Sequence, residues 1–119
     1  MAETDHVVEL IGAALRATGL RGKVIANNIA NLQTPGYRRK EVRFEQLLAR
    51  VLDSPGEADL QGIQGEIFEP RSTPVNSQGN DVSLDVEVGE MVKNGAIRKT
   101  YIRLLNKIYR QMELAITGQ

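Results

Sequence analysis

Two long runs of helical apolar spacing, one toward each end of the chain, dictate what it can fold into. Val8, Ile11, Leu15, Thr18, Gly22, Ile25, Ile29 and Leu32 recur at alternating intervals of three and four. Leu84, Val88, Met91, Gly95, Arg98, Ile102, Leu105, Tyr109, Met112 and Ile116 do the same, with Ile97, Tyr101, Leu104, Ile108 and Ala115 as a second row beside them. This spacing predicts helices over 5–32 and 82–117 with coiled-coil-like seams. Neither helix is strong alone. Thr18 and Gly22 interrupt the first seam, Gly95 and Arg98 the second, and Gly12 and Gly19 each cost about 1 kcal/mol relative to alanine. Two adjacent rows also make a face wider than one partner helix covers. Aromatic residues are 4% of the chain and tryptophan is absent, which disfavours a dense globular core. The expected fold is mainly α: long terminal helices packed as an antiparallel coiled-coil hairpin around a loop-rich middle, in one unit of 119 residues.

Residues 33–81 carry the punctuation. Pro35 disfavours the α region at Thr34, and Pro35-Gly36 suits the centre of a type II turn. Val42 and Phe44 alternate with charge, which permits a short extended piece. Phe44, Leu47, Leu48 and Val51 then follow helical spacing up to Ser54-Pro55-Gly56. Beyond lie only Leu60, Ile63, Ile67, Phe68 and Val75 as apolar anchors, with a short hairpin fitting 65–69. Length without anchors implies a loop that waits for something to dock. Arg38-Arg39-Lys40 reads as a solvated turn. In the second helix, Asp81, Asp85, Glu87 and Glu90 in the early turns complement the helix dipole.

The net charge of zero conceals segregation: residues 1–52 carry +3, residues 53–90 carry −8 and residues 91–119 carry +5. Mutual attraction between segments or between subunits explains this more simply than nucleic acid, since stacking aromatics are sparse and no recognition motif occurs. Catalysis finds no footing. There is no cysteine, and His6 is the one histidine, with no second metal ligand spaced against it and an expected exposed position. No nucleophile has a base to pair with, and the Asp81/Asp85 pair is better read as helix-start charge. Gly19–Gly22 and Gly62–Gly65 lack the Lys-Ser/Thr of a phosphate loop. No cofactor is expected. No apolar run approaches a membrane span, and the acidic opening Met1–His6 is unlike a cleavable signal peptide.

The most specific stretch is Ala26-Asn27-Asn28-Ile29-Ala30-Asn31, two further residues, then Thr34-Pro35-Gly36-Tyr37. Asparagine is a mediocre helix former, and Asn27, Asn28 and Asn31 share a face through their spacing of three and four. Amides on a packing face specify register or partner at some cost in stability. Read locally, this is an asparagine-rich helix end followed by a turn. The segment resembles, position by position, the N-terminal signature of the bacterial flagellar axial proteins, the rod, hook and hook-associated family. Gly79-Asn80-Asp81-Val82-Ser83-Leu84, Glu90-Met91, Asn94, Leu104-Leu105-Asn106-Lys107 and Ala115-Ile116 are similar to the C-terminal half of that family's proximal-rod subunits. The short middle fits too, because distal rod and hook proteins insert β-domains there. Arg98 departs from the pattern, which commonly has an aromatic at this position.

The resemblance implies a structural subunit that assembles helically in the proximal rod and passes torque from the membrane ring to the distal rod and hook. It implies self-association and contacts with other proximal rod proteins, the basal-body adaptor protein, the membrane ring protein and the export apparatus. It also implies a periplasmic rod location reached without a cleaved signal. The implied assembly residues are Ala26–Asn31 and Thr34–Tyr37. Leu84, Val88, Met91, Asn94, Ile102, Leu105, Tyr109, Met112 and Ile116 are the expected packing positions of the second helix. The alternative is a cytoplasmic helical adaptor or chaperone-like binding module.

Overall fold

A computed structural model describes residues 2–53 and 63–118. The order of elements is α1 (Ala2–Ala30), β1 (Glu41–Arg43), α2 (Glu45–Asp53), β2 (Glu66–Phe68) and α3 (Leu84–Thr117). The two long helices run antiparallel: Asn28 of α1 meets Glu87 near the start of α3, and Leu15 and Thr18 meet Arg98 further along it. Ser83 sits in extended backbone before α3, and Gly118, at φ 71°, closes its far end by donating to the Leu114 carbonyl. The molecule is long and thin, 64 × 32 × 14 Å. Its radius of gyration of 18.0 Å exceeds the roughly 13–14 Å of a compact chain of this length.

The core is small and sits on one face of the hairpin. Ala13, Ala14 and Ala17 give α1 a low surface, and Phe44 and Ile63 drop onto it. Leu10, Leu48, Val51 and Tyr101 close the edges. Small residues here let the β1–α2 layer approach the helix closely, so one aromatic ring, Phe44, fills the centre at 1% exposure. Phe44 thus belongs to the joint between β1 and α2, where its carbonyl accepts the Leu48 N–H and starts the α2 turn.

In place of the short hairpin expected at 65–69 a single strand, β2, forms, and its partner is β1 rather than a local return strand. The antiparallel register pairs Glu41 with Phe68, Val42 with Ile67 and Arg43 with Glu66. Arg43 lies over the Phe68 ring at 4.1 Å. Gly65 enters this ladder where a Cβ would lie 2.7 Å from Val42 Cγ1, so close packing excludes a side chain there. Of the loop expected to be mobile over 53–81, the described part from 63 on is irregular apart from β2 but tied down at several points. Ser54-Pro55-Gly56 and Leu60 lie outside the described residues, as does Gly62 of the glycine-rich piece Gly62–Gly65. His6 is exposed, as expected.

The second helix turns by more than the sequence stripe suggested. The side facing α1 is built from Glu87, Asn94, Ile97, Tyr101, Leu105, Ile108 and Met112, all buried or half-buried. Of the nine expected packing positions, Asn94, Leu105 and Met112 point inward, whereas Leu84, Val88, Met91, Ile102, Tyr109 and Ile116 are exposed on the single chain. The side α1 takes combines Ile97, Tyr101 and Ile108 of the adjacent second row with Leu105 and Met112 of the first, while Leu104 and Ala115 of the second row are exposed. The reason is polar: Glu87 and Asn94 have buried partners on the α1 side, and they fix the rotation of α3.

Candidate functional site

The two sequence motifs, one at the end of α1 and one before α3, fold into a single polar junction. Asn28 is its centre and is 0% exposed. Its Nδ2 donates to the Lys40 carbonyl at 2.9 Å and to Glu87 Oε2 at 3.1 Å. Its Oδ1 accepts from the Tyr37 hydroxyl at 2.9 Å and from the Lys40 N–H at 3.0 Å. Both donors and both acceptor positions of the amide are used, which is the full capacity of an asparagine side chain. A leucine or an aspartate could not reproduce this pattern.

Glu87 is likewise 0% exposed. Its other oxygen accepts from Arg39 Nε at 2.7 Å, and Arg39 also pairs with Glu41. Arg39 is itself 4% exposed. Burial works against its charge, but the hydrogen bonds and charges of Glu41 and Glu87 outweigh it, so the guanidinium is held protonated even more firmly than usual. A buried ion pair of this kind is a poor source of net stability, yet breaking one side of it is expensive.

Asp81 anchors the second half of the junction. Its carboxylate accepts from the Arg39 backbone N–H at 2.6 Å, from Arg38 Nε at 3.0 Å and from the Thr73 hydroxyl at 3.1 Å. Desolvation pushes the Asp81 carboxyl upward, but these donors together hold it below the ordinary value of 3.8. Two expectations are corrected here. Asp81 precedes α3 rather than decorating its first turn, and Arg38-Arg39 is not a solvated turn, because both guanidiniums are committed to buried carboxylates. Glu87 lies in the first turn of α3 as expected, but it serves the junction from a buried position rather than the dipole from solvent.

The turn between these anchors matches its reading. The Tyr37 N–H donates to the Thr34 carbonyl at 3.2 Å, and Gly36 between them has φ 76°. This is the geometry that a type II turn requires at its third residue. The Gly36 N–H donates to the Gln78 carbonyl, so the turn leans on the 76–80 segment. There Gly79, at φ 78°, brings its backbone against the Gly36 backbone: a Cβ on Gly79 would lie 3.6 Å from Gly36 Cα. Asn80 fastens the contact by donating to the carbonyls of Asn31 and Thr34, each at 2.9 Å, while its Oδ1 accepts the Val82 N–H.

The three asparagines of the signature therefore have different duties. Asn28 is the buried hub. Asn27 is exposed and donates to the Tyr37 hydroxyl at 3.0 Å. Asn31 closes the helix end: its Nδ2 reaches the Asn27 carbonyl and its Oδ1 accepts from Thr34 Oγ1. Tyr37 is held between Asn27 and Asn28, with Lys40 Nζ 4.7 Å from its ring centre. Ala26, Ala30, Pro35 and Gly36 are exposed, and Ile29 is half-buried. Sequence reasoning missed Arg39, Glu87 and Asn80 as members of the site. The signal was present in the acidic excess of 53–90 next to the Arg38-Arg39 pair, but pairing across more than forty residues is set by the fold alone.

Farther along the hairpin, Asn94 Nδ2 donates to the Thr18 carbonyl at 2.9 Å, opposite Gly22. Arg98, the departure from the family pattern, reaches the Leu15 carbonyl and the Thr18 hydroxyl and lies over Gly19. It serves the contact within the subunit. Among the described residues there is no group of acidic, histidine or cysteine side chains able to hold a metal ion, and no helix long and apolar enough to cross a membrane.

A family model described as flagella basal body rod protein matches residues 12–38, which span α1 from Gly12 through the signature to Arg38. The flagellar basal body rod protein FlgB of Bacillus subtilis (strain 168) is 27% identical over 127 residues, covering 99% of this chain and 98% of the relative. FlgB of Borreliella burgdorferi is 27% identical over 79% of this chain and 83% of its own length. The flagellar basal-body rod protein FlgG of Caulobacter vibrioides is 31% identical over 71% of this chain but only 26% of its own length.

Proposed function

Since the chain belongs to the flagellar basal body rod protein family, we propose that its work is mechanical: it is a structural subunit of the bacterial flagellar rod. The observation that carries this reading is the row Leu84, Val88, Met91, Ile102, Tyr109 and Ile116. These side chains follow one flank of α3 for most of its length and are 40% exposed or more. Exposed apolar side chains recurring along a helix in this way, interrupted only at Gly95-Arg98 and where Leu105 and Met112 turn inward, mark a protein-contact surface. The polar junction supplies the complement. It locks the signature turn onto the start of α3 and so presents both segments as one rigid block, which a contact that transmits force needs.

On this reading the subunit sits in the proximal rod, in the periplasmic space, and passes torque from the membrane ring toward the distal rod and hook. Its neighbours there are other proximal rod proteins, further copies of itself, the basal-body adaptor protein and the membrane ring protein, after passage through the export apparatus. The adaptor alternative is set aside, because the relatives matched over the length of the chain are rod proteins. Catalysis has no part in the proposal.

The test uses Val88→Asp and Ile102→Asp. Both sites are exposed, so the isolated subunit should keep its fold, with stability changed by no more than about 0.5 kcal/mol. Purified basal bodies should lack the variant subunits, and cells carrying them should not swim. Normal incorporation of both variants would overturn the assignment of this flank to assembly.

A further inference from the structure

We propose that Asn94-Gly95 is a spontaneous deamidation site, closed while α1 and α3 are packed and open when they part, whose product weakens the hairpin when it re-forms. Asn94 is the one asparagine in the sequence followed directly by glycine. The reaction needs the Gly95 backbone nitrogen to attack Cγ, the amide carbon of Asn94. A new bond between that nitrogen and Cγ closes a five-membered imide, the Cγ–Nδ2 bond breaks, and ammonia leaves. Water then opens either carbonyl of the ring to give aspartate or isoaspartate, so the balance is one water in and one ammonia out, with no oxidant or reductant. Glycine is the neighbour that hinders the attack least.

Packing suppresses each requirement. Gly95 lies inside α3, where its N–H belongs to the helical hydrogen-bond ladder and the backbone cannot swing toward Cγ. Asn94 is 7% exposed, and its Nδ2 is fastened to the Thr18 carbonyl of α1. The second hydrogen-bonding atom, Oδ1, has no donor among the described residues, so the side chain depends on that single bond and on α1 staying in place. Once α1 leaves, both restraints go together, because helix order in a chain like this depends on tertiary packing.

The product fits badly. An aspartate at 94 sets a carboxylate against the Thr18 carbonyl, two acceptors with no donor between them, in a buried position. Isoaspartate also adds a methylene to the backbone and breaks the helical repeat. Subunits that stay open too long are thereby left with a less stable hairpin. Gly95 itself is not demanded by packing, since a Cβ there would meet nothing within 4 Å. Gly95→Ala therefore separates chemistry from structure.

The wild-type protein and Gly95→Ala are incubated at mildly alkaline pH, folded and in denaturant, and mapped by peptide mass spectrometry for aspartate and isoaspartate. In denaturant, position 94 should convert ahead of every other asparagine in the wild type, and Gly95→Ala should stay largely unconverted. The folded wild type should convert slower by about tenfold or more, tenfold corresponding to about 1.4 kcal/mol of opening cost. After dilution from denaturant, aged wild-type protein should refold with a lower unfolding midpoint, as should freshly made Asn94→Asp, whereas aged Gly95→Ala should refold unchanged. Equal rates at position 94 in the folded and unfolded protein would overturn the proposal. So would faster conversion elsewhere, or an Asn94→Asp variant as stable as the wild type.

Discussion

At the scale of single residues, the junction ranks the signature asparagines. Asn28 has four hydrogen bonds and no solvent, so Asn28→Leu strands the Lys40 N–H and carbonyl and leaves Glu87 short of a donor. A cost of roughly 2–4 kcal/mol is expected from such unmet buried groups. Asn27→Leu, at an exposed position, should change stability little. Urea unfolding of both variants checks the ordering, and equal losses would show that Asn28 is not the hub. Gly36 makes a second contrast. A Cβ there would touch nothing within 4 Å, so its demand for glycine is conformational, through φ 76°. Gly36→Val should therefore cost about 1–2 kcal/mol by forcing a left-handed β-branched residue, without any clash. Gly36→Asn should be milder. The Tyr37 ring resonances report the misplacement, and rod assembly should be lost in the valine variant first. Valine and asparagine behaving alike would show that the left-handed φ is not what demands glycine here.

At the scale of elements, what holds the start of α3 to the signature turn is titratable. The Asp81 carboxyl is held below its ordinary value because its hydrogen-bond donors outweigh its desolvation. A depressed carboxyl contributes stability that is fully present above the unfolded value of 3.8 and is lost as pH falls through the folded value. The Arg38 and Thr73 contacts should therefore loosen only in strong acid, while at neutral pH the junction is insensitive to small changes. Asp81→Asn should be less stable at neutral pH and should flatten the loss of stability below pH 3.8. Thermal unfolding followed from neutral to acid pH measures both. An Asp81→Asn variant with the same acid slope as the wild type would place the sensitivity elsewhere. The helix pairing itself tolerates polar seams because the glycines at 19 and 22 let α1 receive Arg98 and Asn94 at close range.

At the scale of the whole molecule, one small core and one polar junction stabilise a hairpin with a long exposed apolar flank. The core occupies the α1 face at Ala13–Ala17, and the junction holds the end near Asn28 and Glu87. The far end of α3 has neither, and Ile116 is 84% exposed. The isolated subunit should therefore unfold with low cooperativity and associate as concentration rises. Amide exchange should be fast over the helices as a whole, slowest around residues 13–18 and 28 and fastest beyond residue 105. Exchange mass spectrometry in dilute solution tests this gradient, and uniform strong protection through residue 116 would contradict it.

Alternating spacing of three and four determined the two helices, because that period is a property of local backbone geometry and needs no partner. Pro35-Gly36 determined the turn for the same local reason, and the observed φ at Gly36 agrees. Val42, Phe44 and the helical spacing behind them likewise sufficed for β1 and α2. The rotation of α3 was a tertiary decision. Its apolar face is two rows wide, and which strip of it turns inward was fixed by Glu87 and Asn94, whose partners lie on other segments. The pairing of β2 with β1 was tertiary too, since three-residue strands carry no register of their own. So was the conversion of Arg38, Arg39 and Asp81 from apparent surface charge into a buried lock. A charge seen along a sequence has no dielectric until the fold removes its water, and only then does its partner matter.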